Sequence, residues 1–167
     1  MHLQLRPAAA ELLGLLTSVP DVARAEFTRA GWEGSLLLQR EVQENTPTGI
    51  GAGGGLKGSI IAVEPVVGSQ RIEAGAATSL GYALPVELGT KPHRPPVEPL
   101  QDWARMKLGL APDDARSAGY AIASAIARRG TRGAFMFKRA YEQHGGQVIR
   151  LFEKAADRVR GKVGRRR

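Results

Sequence analysis

The stretch GYALPVELGTKPHRPP, residues 81–96, holds the side chains of this chain best suited to chemistry: Tyr82 as a phenol, Glu87 as a general base and His93 as an acid–base group. Proton transfer needs such groups within hydrogen-bond reach of one another and of a substrate, and a proline-rich sequence does not by itself provide that. Ser59, His93 and a carboxylate can be written as a nucleophilic triad, but no G-x-S-x-G elbow surrounds Ser59. The three histidines, His2, His93 and His144, fall at no metal-ligand spacing, and there is no cysteine to complete a set. GIGAGG is a literal G-x-G-x-x-G at Gly49, Gly51 and Gly54, with Glu73 at the distance of a ribose ligand. A dinucleotide fingerprint leaves a strand and opens a helix, whereas here a helix precedes the loop and a strand follows. In LKGS the lysine stands before glycine, which breaks the P-loop pattern. These residues therefore predict no catalytic residue, no cofactor and no metal.

The elements around them set what the stretch can do. A chain of 167 residues with 43% hydrophobic content supports one domain, residues 1–160, followed by a basic tail over 161–167. No apolar run reaches the roughly 20 residues of a membrane-spanning helix. The N-terminal segment mimics a secretory signal, but Glu11 interrupts its apolar stretch and a helix starting near Pro20 runs through the would-be cleavage site. Neither a signal peptide nor a membrane partner is expected. Charge is unevenly spread: residues 1–127 hold 11 Lys/Arg against 13 Asp/Glu, and residues 128–167 hold 13 against 3. A basic end of that kind attracts phosphate or an acidic surface without sequence preference.

Residues 8–16 are helix-prone, and Val22 to Glu44 read as a long amphipathic helix with Phe27, Ala30, Leu37 and Leu38 recurring at helical spacing. Gly31 and Gly34 cost that helix about 1 kcal/mol each relative to alanine, which predicts a second backbone packed closely on the glycine face. Residues 45–58 form a glycine-rich loop. SIIAVEPVV and QRIEAGAA read as a hairpin about Gly68 and Ser69, with Pro65 marking an edge or a bulge. YALPVEL makes a turn or two of helix ended by Gly89 in a left-handed conformation, and KPHRPP runs extended. Residues 97–130 read as a helical hairpin. Its first helix carries Val97, Leu100, Ala104 and Leu108 on one side, and its second has Asp113 and Asp114 near the start and Arg128 and Arg129 near the end. That second helix is acidic where a DNA-reading helix is neutral or basic, so the hairpin packs rather than reads bases. Trp103 and Tyr120 are core or interface anchors. A last helix runs from Ala134 to about Arg160 with Phe137, Tyr141, Val148, Phe152, Ala155 and Val159 on one stripe, and Gly145 and Gly146 mark a kink or a loose turn. The fold class is α+β: a small antiparallel sheet packed against long N- and C-terminal helices, with an inserted helical hairpin.

Three ordered segments carry a resemblance. The Thr46–Ile60 region follows P-x-x-T-G-x-L-x-x-S-I with a lengthened glycine loop, Tyr82–Pro96 follows Y-A-x-x-V-E-x-G-T with a His-Arg-Pro-rich continuation, and Phe137–Ala140 follows F-x-x-A. Over roughly residues 22–160 the chain resembles the tail-completion, or head-tail joining, proteins of long-tailed double-stranded DNA bacteriophages and phage-like particles. It departs from them in the long glycine loop and in the hairpin over 97–130, an insertion found only in some relatives. The resemblance implies a virion component at the neck: a non-enzymatic subunit, made in the bacterial host cytoplasm, that forms a homo-oligomeric ring of six copies. Its implied partners are the adjacent head-closure or connector and tail-tube proteins, together with DNA passing through the channel.

The residues themselves fit a joint. Gly89 supplies a sharp turn, Thr90 bonds the turn backbone, and Pro92, Pro95 and Pro96 stiffen an extended arm at low entropy cost. The expected subunit-contact residues are Tyr82, Glu87, Gly89, Thr90, His93, Arg94 and Pro95, with Arg165, Arg166 and Arg167 as a contact for DNA or an acidic partner. The alternative is a nucleic-acid-binding protein acting through its basic C-terminal segment; a hydrolase centred on Glu87 and His93 is a third reading.

Overall fold

Helix α2, Pro20–Asn45, shows how local sequence sets the architecture. Ala23, Phe27, Ala30, Leu38 and Val42 recur at three- and four-residue spacing and are all buried, so one face of the helix must be covered. The computed structural model that shows this describes residues 3–4, 9–18, 20–47, 55–68 and 71–164. Its chain order is β1 (Leu3–Gln4), α1 (Ala9–Ser18), α2, α3 (Gly55–Gly58), β2 (Ile61–Val67), β3 (Ile72–Ala77), α4 (Ala83–Leu88), β4 (Gly89–Thr90), α5 (Glu98–Leu108), α6 (Pro112–Arg129), β5 (Thr131–Arg132) and α7 (Met136–Gly164). The class is α+β, a small antiparallel sheet against long N- and C-terminal helices.

The chain groups into two units, one of residues 1–45, 60–78 and 137–167, the other of 46–59 and 79–136. In the first, strands β1, β3 and β2 lie in that order and are antiparallel, and α2 packs on β2 and β3. Strand β2 is at an edge and also bulged: the register slips between Val63 and Val66, so Glu64 and Pro65 oppose the single Ala74. Proline has no N–H for a ladder, and both placements remove that conflict. Gly68 N–H donates to the Arg71 carbonyl to close the hairpin. The buried Ser35 hydroxyl of α2 accepts from the Gly75 N–H at 2.9 Å, and Gln39 and Gln43 both donate to the Ile60 carbonyl, at 2.9 and 3.0 Å. Helix and sheet are thereby joined by polar contacts as well as by apolar burial.

Helix α7 runs antiparallel to α2. Its Val148 lies opposite Gly34, its Phe152 packs on Phe27 with ring centroids 6.4 Å apart, and its Arg158 and Lys162 reach Glu26. The two α2 glycines meet side chains rather than the expected second backbone: a Cβ on Gly31 would stand 2.6 Å from Pro65 Cβ, and one on Gly34 2.9 Å from Val148 Cγ1. Their missing methyls make room for a proline ring and a branched valine. The helix continues unbroken through Gly145 and Gly146.

The second unit holds α3, α4, the two-stranded β4–β5 ladder and the α5–α6 hairpin. Gly119 of α6 lets α5 come close enough that an added Cβ would be 3.1 Å from the Gln101 nitrogen, and Ala104 and Ala115 are fully buried. Gly109 ends α5 in the left-handed region at φ 65, ψ 25, and Pro112 starts α6 with its missing N–H among the donors a first turn leaves unused. On α5, Leu108 is exposed instead of continuing the expected apolar face.

Candidate functional site

The stretch over 81–96 folds back on residues 130–135. Ala83 anchors α4 by burial, and the Val86 and Glu87 carbonyls accept from the Ala134 and Phe135 N–H groups at 2.8 and 3.1 Å. Gly89 pairs with Arg132 and Thr90 with Thr131 in an antiparallel two-residue ladder. A Cβ on Gly89 would overlap the Thr131 carbonyl, one on Gly130 the Thr90 carbonyl, and one on Gly133 the Glu87 carbonyl. Three glycines thus let two backbones approach with no side chain between them.

Gly89 ends α4 at φ 79, ψ −179 and not in the left-handed helical region expected of it. Positive φ combined with extended ψ is a region essentially confined to glycine, and here it sends the chain from a helix directly into a strand. Gly130 adopts the same conformation, φ 71 and ψ −159, after α6. Phe135 takes φ 51, an outlier for a bulky residue, just where the returning segment feeds α7. The Thr90 hydroxyl bonds the facing strand rather than its own turn: it lies 3.0 Å from the Thr131 hydroxyl and accepts from the Thr131 N–H at 3.2 Å.

Once the ladder is formed, the remaining predicted residues are displayed on it. Tyr82 precedes α4 and is half exposed, and Leu84 and Leu88, one helical turn apart on α4, are more exposed still. Lys91 to Arg94 are exposed, Pro95 is half-buried, and the 91–96 segment has no regular structure. His93 Nδ1 sits 3.0 Å from the Lys91 carbonyl, a local contact that curls the imidazole over its own backbone. Ser59 donates to the Leu56 carbonyl at 2.7 Å and finishes the turn after α3. Among the described residues no three His, Cys, Asp or Glu side chains cluster as a metal site would. No helix of the described residues is long and apolar enough to cross a membrane.

Of the expected glycine loop over 45–58, residues 48–54 fall outside the described residues, as do Arg165, Arg166 and Arg167, while Asn45 still belongs to α2 and residues 55–58 form the helical turn α3 instead of loop. Of the basic residues that lead to them, Arg158 and Lys162 grip the carboxylate of Glu26, which is 7% exposed, at 2.6 and 2.5 Å. The Lys162 and then the Arg158 hydrogen bonds hold Glu26 below the ordinary carboxylate range, against the opposing pull of burial. Arg160 turns to Asp157 at 2.6 Å. Much of the charge late in α7 is thus committed within the chain.

Sequence reasoning missed the partner of the motif. GTRG reads as a loop, yet Gly130 and Gly133 flank β5 and supply the close approach to β4. It also missed a surface groove of about 380 Å³ lined by Arg94, Pro95 and Val97 of the segment before α5 and by Tyr120, Ser124 and Arg128 of α6. Comparison with protein-family models, with curated proteins and with solved structures finds no match for this chain.

Proposed function

We propose that this protein is a structural neck component of a tailed bacteriophage or phage-like particle, forming a ring that completes the tail and joins it to the head, without catalysis. The observation that carries the reading is the display on α4: Tyr82, Leu84 and Leu88 are 50%, 64% and 60% exposed, directly before the exposed Lys91–Arg94 segment. Neighbouring exposed apolar side chains mark a face that another protein covers. They lie in the same stretch that carries the resemblance to neck proteins, on a backbone held by the β4–β5 ladder. A rigid base under an apolar, cationic surface is what a ring subunit needs, since little order remains to be lost on assembly.

The test is particle mass and negative-stain imaging of the purified chain, alone and mixed with the products of the genes beside its own, together with mass spectrometry of purified particles. Rings in one of those mixtures, and the chain present in particles, are expected. A chain that stays a monomer in every mixture and is absent from particles overturns the reading. The nucleic-acid alternative is weakened by the commitment of Arg158 and Lys162 to Glu26. It predicts oligonucleotide affinity that falls steeply with salt and disappears when residues 162–167 are deleted.

A further inference from the structure

Helix α6 carries opposite charges at its two ends, and a groove lies beside the basic one. On its exposed face Asp113, Ser117, Tyr120, Ser124 and Arg128 follow one another at three- and four-residue spacing, a single stripe along the helix. The groove lies toward the basic end, where Arg128 and Arg94 of the proline-rich segment line it together with Val97 and Ala127. Arg128 also stands in the last turn, where the helix dipole favours a cation. Among the described residues neither arginine has an ion-pair partner and both are exposed, so the groove offers two uncommitted guanidinium groups beside the small apolar residues Val97, Ala123 and Ala127. Guanidinium groups select carboxylates or phosphates by paired hydrogen bonds.

The complementary surface is at the other end of the same helix. Ala111, Pro112, Asp113 and Asp114 are all exposed, and neither aspartate has an ion-pair partner among the described residues. This tip joins two small apolar residues to two carboxylates, which complements a groove lined by small apolar residues and two arginines. Asp113 and Arg128 lie roughly 22 Å apart along a rigid helix, so a chain cannot fill its own groove.

Resting on the ring reading above, we propose that the groove between Arg94 and Arg128 receives the first turn of α6, residues 111–114, from the next copy of the chain. The contact joins two different surfaces, so repetition propagates head to tail and closes into a ring when the rotation per subunit allows. It gives Arg94, an expected contact residue, a specific occupant, and it gives the helical hairpin a role in assembly.

Charge exchange tests this. Asp113→Arg with Asp114→Arg gives a chain basic at both surfaces, and Arg94→Glu with Arg128→Glu gives one acidic at both; each alone should lose assembly, with helicity by circular dichroism as the folding control. An equimolar mixture of the two, and a single chain carrying all four changes, should assemble again. The chain has no cysteine, so Asp113→Cys combined with Ser124→Cys gives a second readout. Those positions are roughly 16 Å apart along the helix, beyond the limit of about 7 Å for a disulfide, so any bridge links two copies. A ladder of covalent oligomers up to the full ring is expected under oxidation. Rings that persist through both charge reversals, with no ladder, overturn the groove assignment and leave the ring reading standing. Crosslinking that stops at two copies means a reciprocal antiparallel pair and overturns head-to-tail docking. Oligonucleotide binding lost in the Arg94→Glu, Arg128→Glu chain while its rings persist makes the groove a nucleic-acid site, with the same consequence. A parent chain that forms no ring in any mixture, together with no ladder from the double-cysteine variant, overturns both readings.

Discussion

Glu26 and Lys162, 136 positions apart in the chain, meet at 2.5 Å, and Arg158 holds the other oxygen of the same carboxylate at 2.6 Å. One nearly covered acid therefore ties the start of α2 to the end of α7. Glu26→Gln keeps the shape and removes the charge. The expected loss at neutral pH is about 1–2 kcal/mol, kept to that size because Arg158 and Lys162 are 40% and 58% exposed and partly screened. The sign with pH follows from the direction of the shift. A carboxylate held below its ordinary range contributes its full stability above the unfolded value, about 4.3 for glutamate, and loses it as pH falls through the lower folded value. Denaturant titrations should show parent and Glu26→Gln well separated at pH 7 and converging under acid.

Gly89→Ala should damage the ladder specifically. The substitution puts a side chain at φ 79, ψ −179, which costs about 1–3 kcal/mol in backbone strain, and drives its Cβ against the Thr131 carbonyl. Hydrogen exchange should locate the effect: the Ala134 and Phe135 amides, which donate to Val86 and Glu87, lose protection. Protection unchanged at those two amides would mean that the ladder does not depend on this close approach.

The glycines of the long helices should divide by sign. A Cβ at Gly145 or Gly161 meets nothing within 4 Å, so alanine there should stabilise the chain by about 1 kcal/mol through helix propensity. At Gly34 the new methyl meets Val148 Cγ1 at 2.9 Å, and the overpacking, about 1–3 kcal/mol, outweighs that gain. Combining Gly34→Ala with Val148→Ala removes the clash, so the pair should cost less than the sum of the single changes. Thermal unfolding of the four single-glycine and valine variants and of the double variant decides it.

The longer helices α2, α5, α6 and α7 were legible in sequence through a 3.6-residue apolar period or terminal signals, such as Gly109 after α5, Pro112 at the head of α6, and buried Phe27 and Phe152 on facing stripes, whereas the single turn α3 lies in what reads as a glycine-rich loop. The β2–β3 hairpin was legible for the matching reason, with Pro65 announcing both edge and bulge. What escaped had no period to read. Strands β1, β4 and β5 are two residues long, and the α7 core begins with Met136 and Ala140, buried more completely than the Phe137 and Tyr141 chosen from the pattern. The site was half legible. Residues 81–96 stood out through glycine, proline and chemistry-bearing side chains, but their partner GTRG and the groove joining Arg94 to Arg128 depend on residues brought together from distant positions.

The α4 surface gives the prediction closest to function. Leu84 and Leu88 contribute little to the fold, because both remain mostly exposed while Ala83 supplies the buried anchor. Leu84→Glu with Leu88→Glu should therefore leave the unfolding free energy within about 1 kcal/mol of the parent, the small loss coming from a carboxylate at the C-terminal end of α4. If the chain is, as proposed, a neck subunit whose α4 face a neighbour covers, the same two changes place carboxylates in an apolar contact, where an unpaired charge is strongly disfavoured. Complementation of particles lacking the chain should then fail, with heads and tails present but unjoined, while a Leu84→Met, Leu88→Met control supports normal joining. Full complementation by the glutamate variant would show that the exposed face of α4 remains in water, and subunit contact would have to be sought elsewhere on the chain.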